Sequence, residues 1–97
     1  MPRKLVAQDR SVSVGTTDTQ VLSPNPYRVF LIFSVKGTND IELNFVGAAA
    51  ANSGIYLKGG GTILGLDMTT FPWYGAVRGI ALIAASQLNV TEVEVDH

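Results

Sequence analysis

The sequence predicts an all-β fold, an antiparallel β-sandwich of jelly-roll-like form with about seven to eight short strands. Three observations predict it. Runs rich in β-branched and aromatic residues recur along the chain, separated by turn residues at roughly 8–12-residue spacing. Within the runs, apolar and polar residues alternate with the two-residue period of a strand. No segment carries a convincing helical pattern. The alanine-rich stretch 47–53 is too short to hold a helix alone and reads as a loop over one end of the sandwich.

Taken in order, residues 1–10 mix charged and apolar side chains and read as an N-terminal arm, with a short strand at 4–7. Residues 11–97 read as a single β-sandwich domain. Ser11-Val12-Ser13-Val14 alternates as a half-buried strand, residues 15–18 turn, and residues 19–22 form a second strand. Pro24 and Pro26 then deny ladder donors to a stiff connection. The longest strand signal follows at 27–35, Tyr-Arg-Val-Phe-Leu-Ile-Phe-Ser-Val. Val29, Leu31, Phe33 and Val35 share one face; Arg28, Phe30, Ile32 and Ser34 share the other. A strand apolar on both faces is normally covered on both sides. Phe30 and Ile32 therefore call for a cover, either the arm through Leu5 and Val6 or a second subunit.

Residues 36–40, Lys-Gly-Thr-Asn-Asp, carry the turn chemistry of a hairpin loop, and Ile41, Leu43 and Phe45 alternate after it. The expectation is an antiparallel hairpin between 27–35 and 41–45. Residues 54–57 form a further strand. The run Gly59-Gly60-Gly61 is a turn and not a phosphate cradle, because a strand at 62–66 follows it instead of a helix opened by Lys-Ser/Thr. Residues 67–74 hold the densest aromatic cluster. Residues 75–84 read as a second long strand, in which small Gly79 and Ala81 allow close approach. The last strand, 88–95, slips phase between Val90 and Val93, which predicts a bulge near Thr91-Glu92.

Composition bounds the chemistry. The 97 residues suit one domain. They are 46% hydrophobic and only 15% charged, against an average of about 25% charged. Either part of the exterior is not meant to face water, or the surface is one of Ser, Thr, Gly and Asn. A net charge of −1 gives no field for nucleic acid or for an anionic membrane. The chain has no cysteine, which excludes disulfides and thiolate metal sites. Only a run of three apolar residues, Leu5-Val6-Ala7, precedes Gln8, too short for a signal peptide, and no apolar run reaches the roughly 18–20 residues of a membrane span.

The single histidine, His97, is the last residue and reads as a terminus, not a catalyst. The carboxylates are scattered; Glu92 and Glu94 share one strand face and read as a solvated edge. No catalytic residue, metal ligand or cofactor site is expected, and the chain reads as a non-enzyme. Arg28 and Arg78, on the two longest strands, are either buried-pair arginines or inter-subunit partners. Phe71, Trp73 and Tyr74 either pack within the chain or grip a partner, since aromatics dominate interface hot spots. Asn89-Val90-Thr91 matches a glycosylation sequon that reads as ordinary strand sequence.

The order Pro24-Asn25-Pro26-Tyr27-Arg28, an apolar strand, then Thr38-Asn39-Asp40-Ile41-Glu42-Leu43-Asn44-Phe45-Val46-Gly47 resembles small β-sandwich virion proteins of tailed bacteriophages, of the capsid decoration or head-fibre-base type. Gly54-Ile55-Tyr56-Leu57, the stretch Gly75-Ala76-Val77-Arg78-Gly79-Ile80-Ala81 and the terminal Val90-Thr91-Glu92-Val93 extend the likeness over residues 11–95. The resemblance implies a non-enzymatic structural protein on the capsid surface, assembled in the host cytoplasm. Its partners would be other copies of itself, commonly as a trimer, and the major capsid protein. On this reading Arg28, Phe30, Ile32 and Arg78 are candidates for the oligomer interface, and Phe71, Trp73 and Tyr74 for partner binding. The alternative is a carbohydrate- or receptor-binding module of a fibre or tail using those three aromatics. The chain departs from the family pattern in bulky Phe33 and Val35 and in the Phe-Pro-Trp-Tyr stretch.

Overall fold

The computed structural model describes residues 4–50 and 53–96. Within them the chain forms eight strands and no helix: β1 (Leu5–Val14), β2 (Thr19–Leu22), β3 (Arg28–Val35), β4 (Ile41–Asn44), β5 (Ile55–Leu57), β6 (Ile63–Asp67), β7 (Val77–Ala81) and β8 (Ser86–Val95). They pair antiparallel in two four-stranded sheets. Sheet I has the order β1-β8-β3-β6 and sheet II the order β2-β7-β4-β5. The first and last strands are neighbours, and every connection except β4–β5 passes from one sheet to the other. That is the double-sheet arrangement of a jelly roll.

The core lies between the sheets. Sheet I contributes Val14, Leu31, Phe33, Val35, Leu88 and Val90; sheet II contributes Ile41, Leu43, Val77 and Ala81; all are at most 1% exposed. Each large apolar side chain so buried contributes about 1.5–3 kcal/mol relative to exposure. Gly79, inward on β7, leaves room for its neighbours: a Cβ there would lie 3.2 Å from Val21 Cγ2. This is the close approach expected from its small size.

Several sequence expectations are corrected. Residues 27–35 and 41–45 do not form a hairpin. β3 lies in sheet I between β8 and β6, whereas β4 lies in sheet II between β7 and β5. Turn residues at 36–40 carry the chain across the roughly 10 Å between stacked sheets as readily as back along one sheet. The 1–10 arm is also corrected from Leu5 onward. Leu5 to Arg10 continue β1 without a break, paired with β8 from Leu5↔Val95 to Val14↔Ser86. As an edge strand β1 exposes Gln8, Asp9 and Arg10, so the alternation that marks a half-buried strand is missing there. Residues 1–3 lie outside the described residues, as does His97.

The bulge is not in β8. Its ten pairs with β1 are continuous, and Ser86, Leu88, Val90 and Glu92 keep one inward alternation. The apparent slip is Glu92, a charged residue at an inward position. The irregularity instead falls on β3 at Val29, between Arg28↔Glu94 and Phe30↔Val93. The second long strand ends at Ala81, so Ile83 sits in a turn, 80% exposed. The alanine-rich loop lies against the outer side of sheet II: Ala49 N–H donates to Asp18, Asn44 Nδ2 donates to Ser53, and Gly54 N–H donates to Glu42. Residues 51 and 52 of that loop lie outside the described residues.

Candidate functional site

The four residues expected at an oligomer interface do not share a surface. Arg28 is interior, 1% exposed. The bulge at Val29 keeps it on the inward face of β3, where its Nε donates to Glu92 Oε2 at 2.8 Å. Nη1 donates to the carbonyls of Trp73 and Gly75, and Nη2 to that of Ser23, each at 3.0 Å. One guanidinium thus ties the β2–β3 and β6–β7 connections to β8. Glu92 is likewise buried, with Arg10 Nη2 at 3.6 Å from its other oxygen; it is not part of a solvated edge. So placed, Arg28 matches the buried-pair alternative and offers almost no surface of its own to another subunit.

Arg78 lies on the opposite side of the molecule, outward on sheet II. Its Nε and Nη2 grip Asp18 at 2.9 Å, and Nη1 reaches Gln20 Oε1 at 3.3 Å. The Arg78 hydrogen bonds, joined by the Ala49 N–H, hold the Asp18 carboxyl below its usual range. Arg78 is therefore partnered within its own chain, with a third of its side chain left exposed.

Phe30 and Ile32 do face outward on sheet I. The register places them beside Val93 and Thr91 of β8, and across β8 beside Ala7 and Asp9 of β1. Leu5 and Val95 extend the same face. Leu5 is 60% exposed and Ile32 38%, so β1 widens this apolar face and does not cover it. Beyond Thr91 the face turns polar: Ser11 donates to Asn89, Gln87 reaches Ser11, and Thr91 bonds Asp9.

The aromatic stretch folds as a packed cluster. Phe45, at the end of β4, meets Phe71 edge to face at 5.3 Å and Trp73 at 6.1 Å. The Trp73 indole N–H donates to Ala76 O at 3.0 Å. Trp73 is thus half-buried within the chain, whereas Phe71 keeps 37% and Tyr74 41% of its surface exposed. One flank of the cluster opens into a groove of about 410 Å³ lined by Asp18, Phe45, Gly47, Ala48, Trp73, Ala76 and Arg78. Of these, the sequence reading singled out only Trp73 and Arg78 as site residues. Asp18 and Phe45 carried no local signal, because tertiary folding alone brings the β1–β2 turn and the end of β4 to the β6–β7 connection.

The carboxylates tie turns in place. Asp40 accepts from Gly59 N–H at 2.7 Å and from the Tyr56 hydroxyl, and Asp67 accepts from the Thr69 N–H and hydroxyl at 2.9 Å. Among the described residues no group of three or more His, Asp or Glu converges to hold a metal ion. Gly60 and Gly61 adopt positive φ of 86° and 114° in a turn, as the strand after them required.

No family model matches the chain, and no curated protein is significantly similar to it. Among solved structures, the chain is similar to a protein of Bacillus endospore appendages, described as a novel family of disulfide-linked pili. The TM-score is 0.61 at 10% identity, over 100% of this chain and 93% of that one. At that identity the likeness shows a shared fold. This chain has no cysteine, so the disulfide linkage of those pili is chemically closed to it.

Proposed function

We propose that the chain is a non-enzymatic structural protein of a bacteriophage particle that binds the capsid surface as a homo-oligomer. The carrying observation is the outer face of sheet I, where Leu5 and Ile32 are exposed beside half-buried Phe30, Val93 and Val95, forming an apolar area that the described chain covers only in part. Soluble monomers seldom keep such contiguous patches. Support also comes from the sequence resemblance, which spans residues 11–95, and from the jelly-roll order, which recurs in viral capsid domains. The solved neighbour is itself a subunit of a surface appendage.

The major capsid protein is the partner in this reading, and three copies is the number that the resemblance supplies. Mass spectrometry and immunogold labelling of purified particles test it. The expected result is stoichiometric protein on the head shell. Recovery only with tails or fibres, or only in the unassembled fraction, refutes it.

A further inference from the structure

We infer that the groove between the β1–β2 turn and the aromatic cluster binds a neutral saccharide. This goes beyond the structural role, and it stands or falls independently of any contact with a capsid. The groove combines two kinds of surface. Phe45 and Trp73 supply apolar ring area, with Trp73 oriented by its indole bond to Ala76 O. Asp18 and Arg78 supply a planar, doubly hydrogen-bonded pair, with 28% and 33% of their side chains exposed.

Such a pair presents donors and acceptors side by side, the pattern that adjacent ring hydroxyls of a pyranose complement. Its two charges cancel, so the groove offers no net attraction to phosphate, sulfate or carboxylate groups. Gly47, Ala48 and Ala76 leave the rest of the lining free of bulky side chains. The volume of about 410 Å³ falls within the roughly 300–1,000 Å³ of small-ligand sites. Aromatic rings paired with a few placed polar groups are the usual means of fixing such a ligand. The T-shaped rings pack within the chain and the ion pair also holds the Ala49 N–H, yet each keeps part of its surface turned to the groove.

The test uses the intact chain on an array of neutral and anionic bacterial and animal glycans, followed by NMR titration with the glycans that bind. The expected result is saturable binding of at least one neutral oligosaccharide, with shifts at the Trp73 indole N–H and the Arg78 Nε–H. Ala48 is exposed, so Ala48→Glu blocks the groove without entering the core and weakens binding roughly tenfold or more. Ile83→Glu makes the same charge change beyond the opposite end of β7 and leaves binding intact. Absence of binding to any glycan, binding confined to anionic glycans, or neutral-glycan binding that survives Ala48→Glu each overturns the inference.

Discussion

Arg28 shows how one residue can hold connections that the backbone ladders do not. Its donors go to Glu92 and to three carbonyls in two connecting segments, so removing it strands a buried carboxylate and frees both segments. Breaking a buried pair on one side costs about 3–5 kcal/mol. Arg28→Met should therefore lower the denaturation midpoint sharply, and adding Glu92→Leu should restore part of the loss. Additive effects in this double-mutant cycle would show that the pair is not coupled. A second residue-scale prediction concerns pH. The Gly59 N–H, and then the Tyr56 hydroxyl, hold Asp40 below its ordinary 3.8. Asp40 in turn raises Tyr56 above its ordinary 10.0. A depressed carboxylate adds stability that is present above its unfolded value and lost as pH falls through the lower folded one. A raised phenol adds stability that is present below its unfolded value and lost as pH climbs through the higher folded one. Asp40→Asn should flatten both limbs of the stability–pH curve; an unchanged acid limb would contradict the assignment.

At the scale of elements, most strands were legible because one face of each meets the core. β2 was bounded correctly by the turn before it and the prolines after it, and β4 to within a residue by its alternation. Partner choice was not legible. The turn residues at 36–40 fit a hairpin and an inter-sheet crossing equally well, and only the pairing of β3 with both β6 and β8 decides between them. The first half of β1 was missed because an exposed edge strand needs no apolar face, and Glu92 was misread because a buried charge breaks the pattern that signals burial. The crossing at 36–40 is held by Lys36 N–H and Gly37 N–H on Gln87 O and by Gly60 N–H on Gly37 O. Gly59 packs against this turn so tightly that a Cβ would lie 2.2 Å from Thr38 O. Gly59→Ala should cost about 1–3 kcal/mol through overpacking, and Gly60→Ala about 1–2 kcal/mol through its positive φ alone. Thermal unfolding of both variants checks this, and a Gly59→Ala protein as stable as the parent would show that the turn yields freely.

The whole molecule poses a question that neither sheet answers alone. A two-layer sandwich covers the inner face of each sheet and leaves two outer faces. On sheet II that outer face is partly covered, by the loop bonded at Ala49, Ser53 and Gly54 and by the Arg78–Asp18 pair. On sheet I, Phe30 touches the Cβ-less face of Gly65 at 3.4 Å from where a Cβ would stand, and Ile32 stays 38% exposed. The arm that would have covered them within one chain is instead the edge strand β1, lying in the same sheet. Burial of this face by other copies would return the exposed fraction of the about 1.5–3 kcal/mol that a fully exposed large side chain gains, in a domain whose small size limits its own core. Light scattering at low micromolar concentration should therefore give a multiple of the 10.3 kDa chain mass, three times that mass if the family resemblance holds. Phe30→Glu should yield folded monomer, because the core side of β3 is carried by Leu31, Phe33 and Val35. Val46→Glu, at an exposed loop residue outside this face, should leave the assembly intact. A wild-type protein that remains at the chain mass would remove self-association from the proposal, and an assembly indifferent to Phe30→Glu would move the interface to another face.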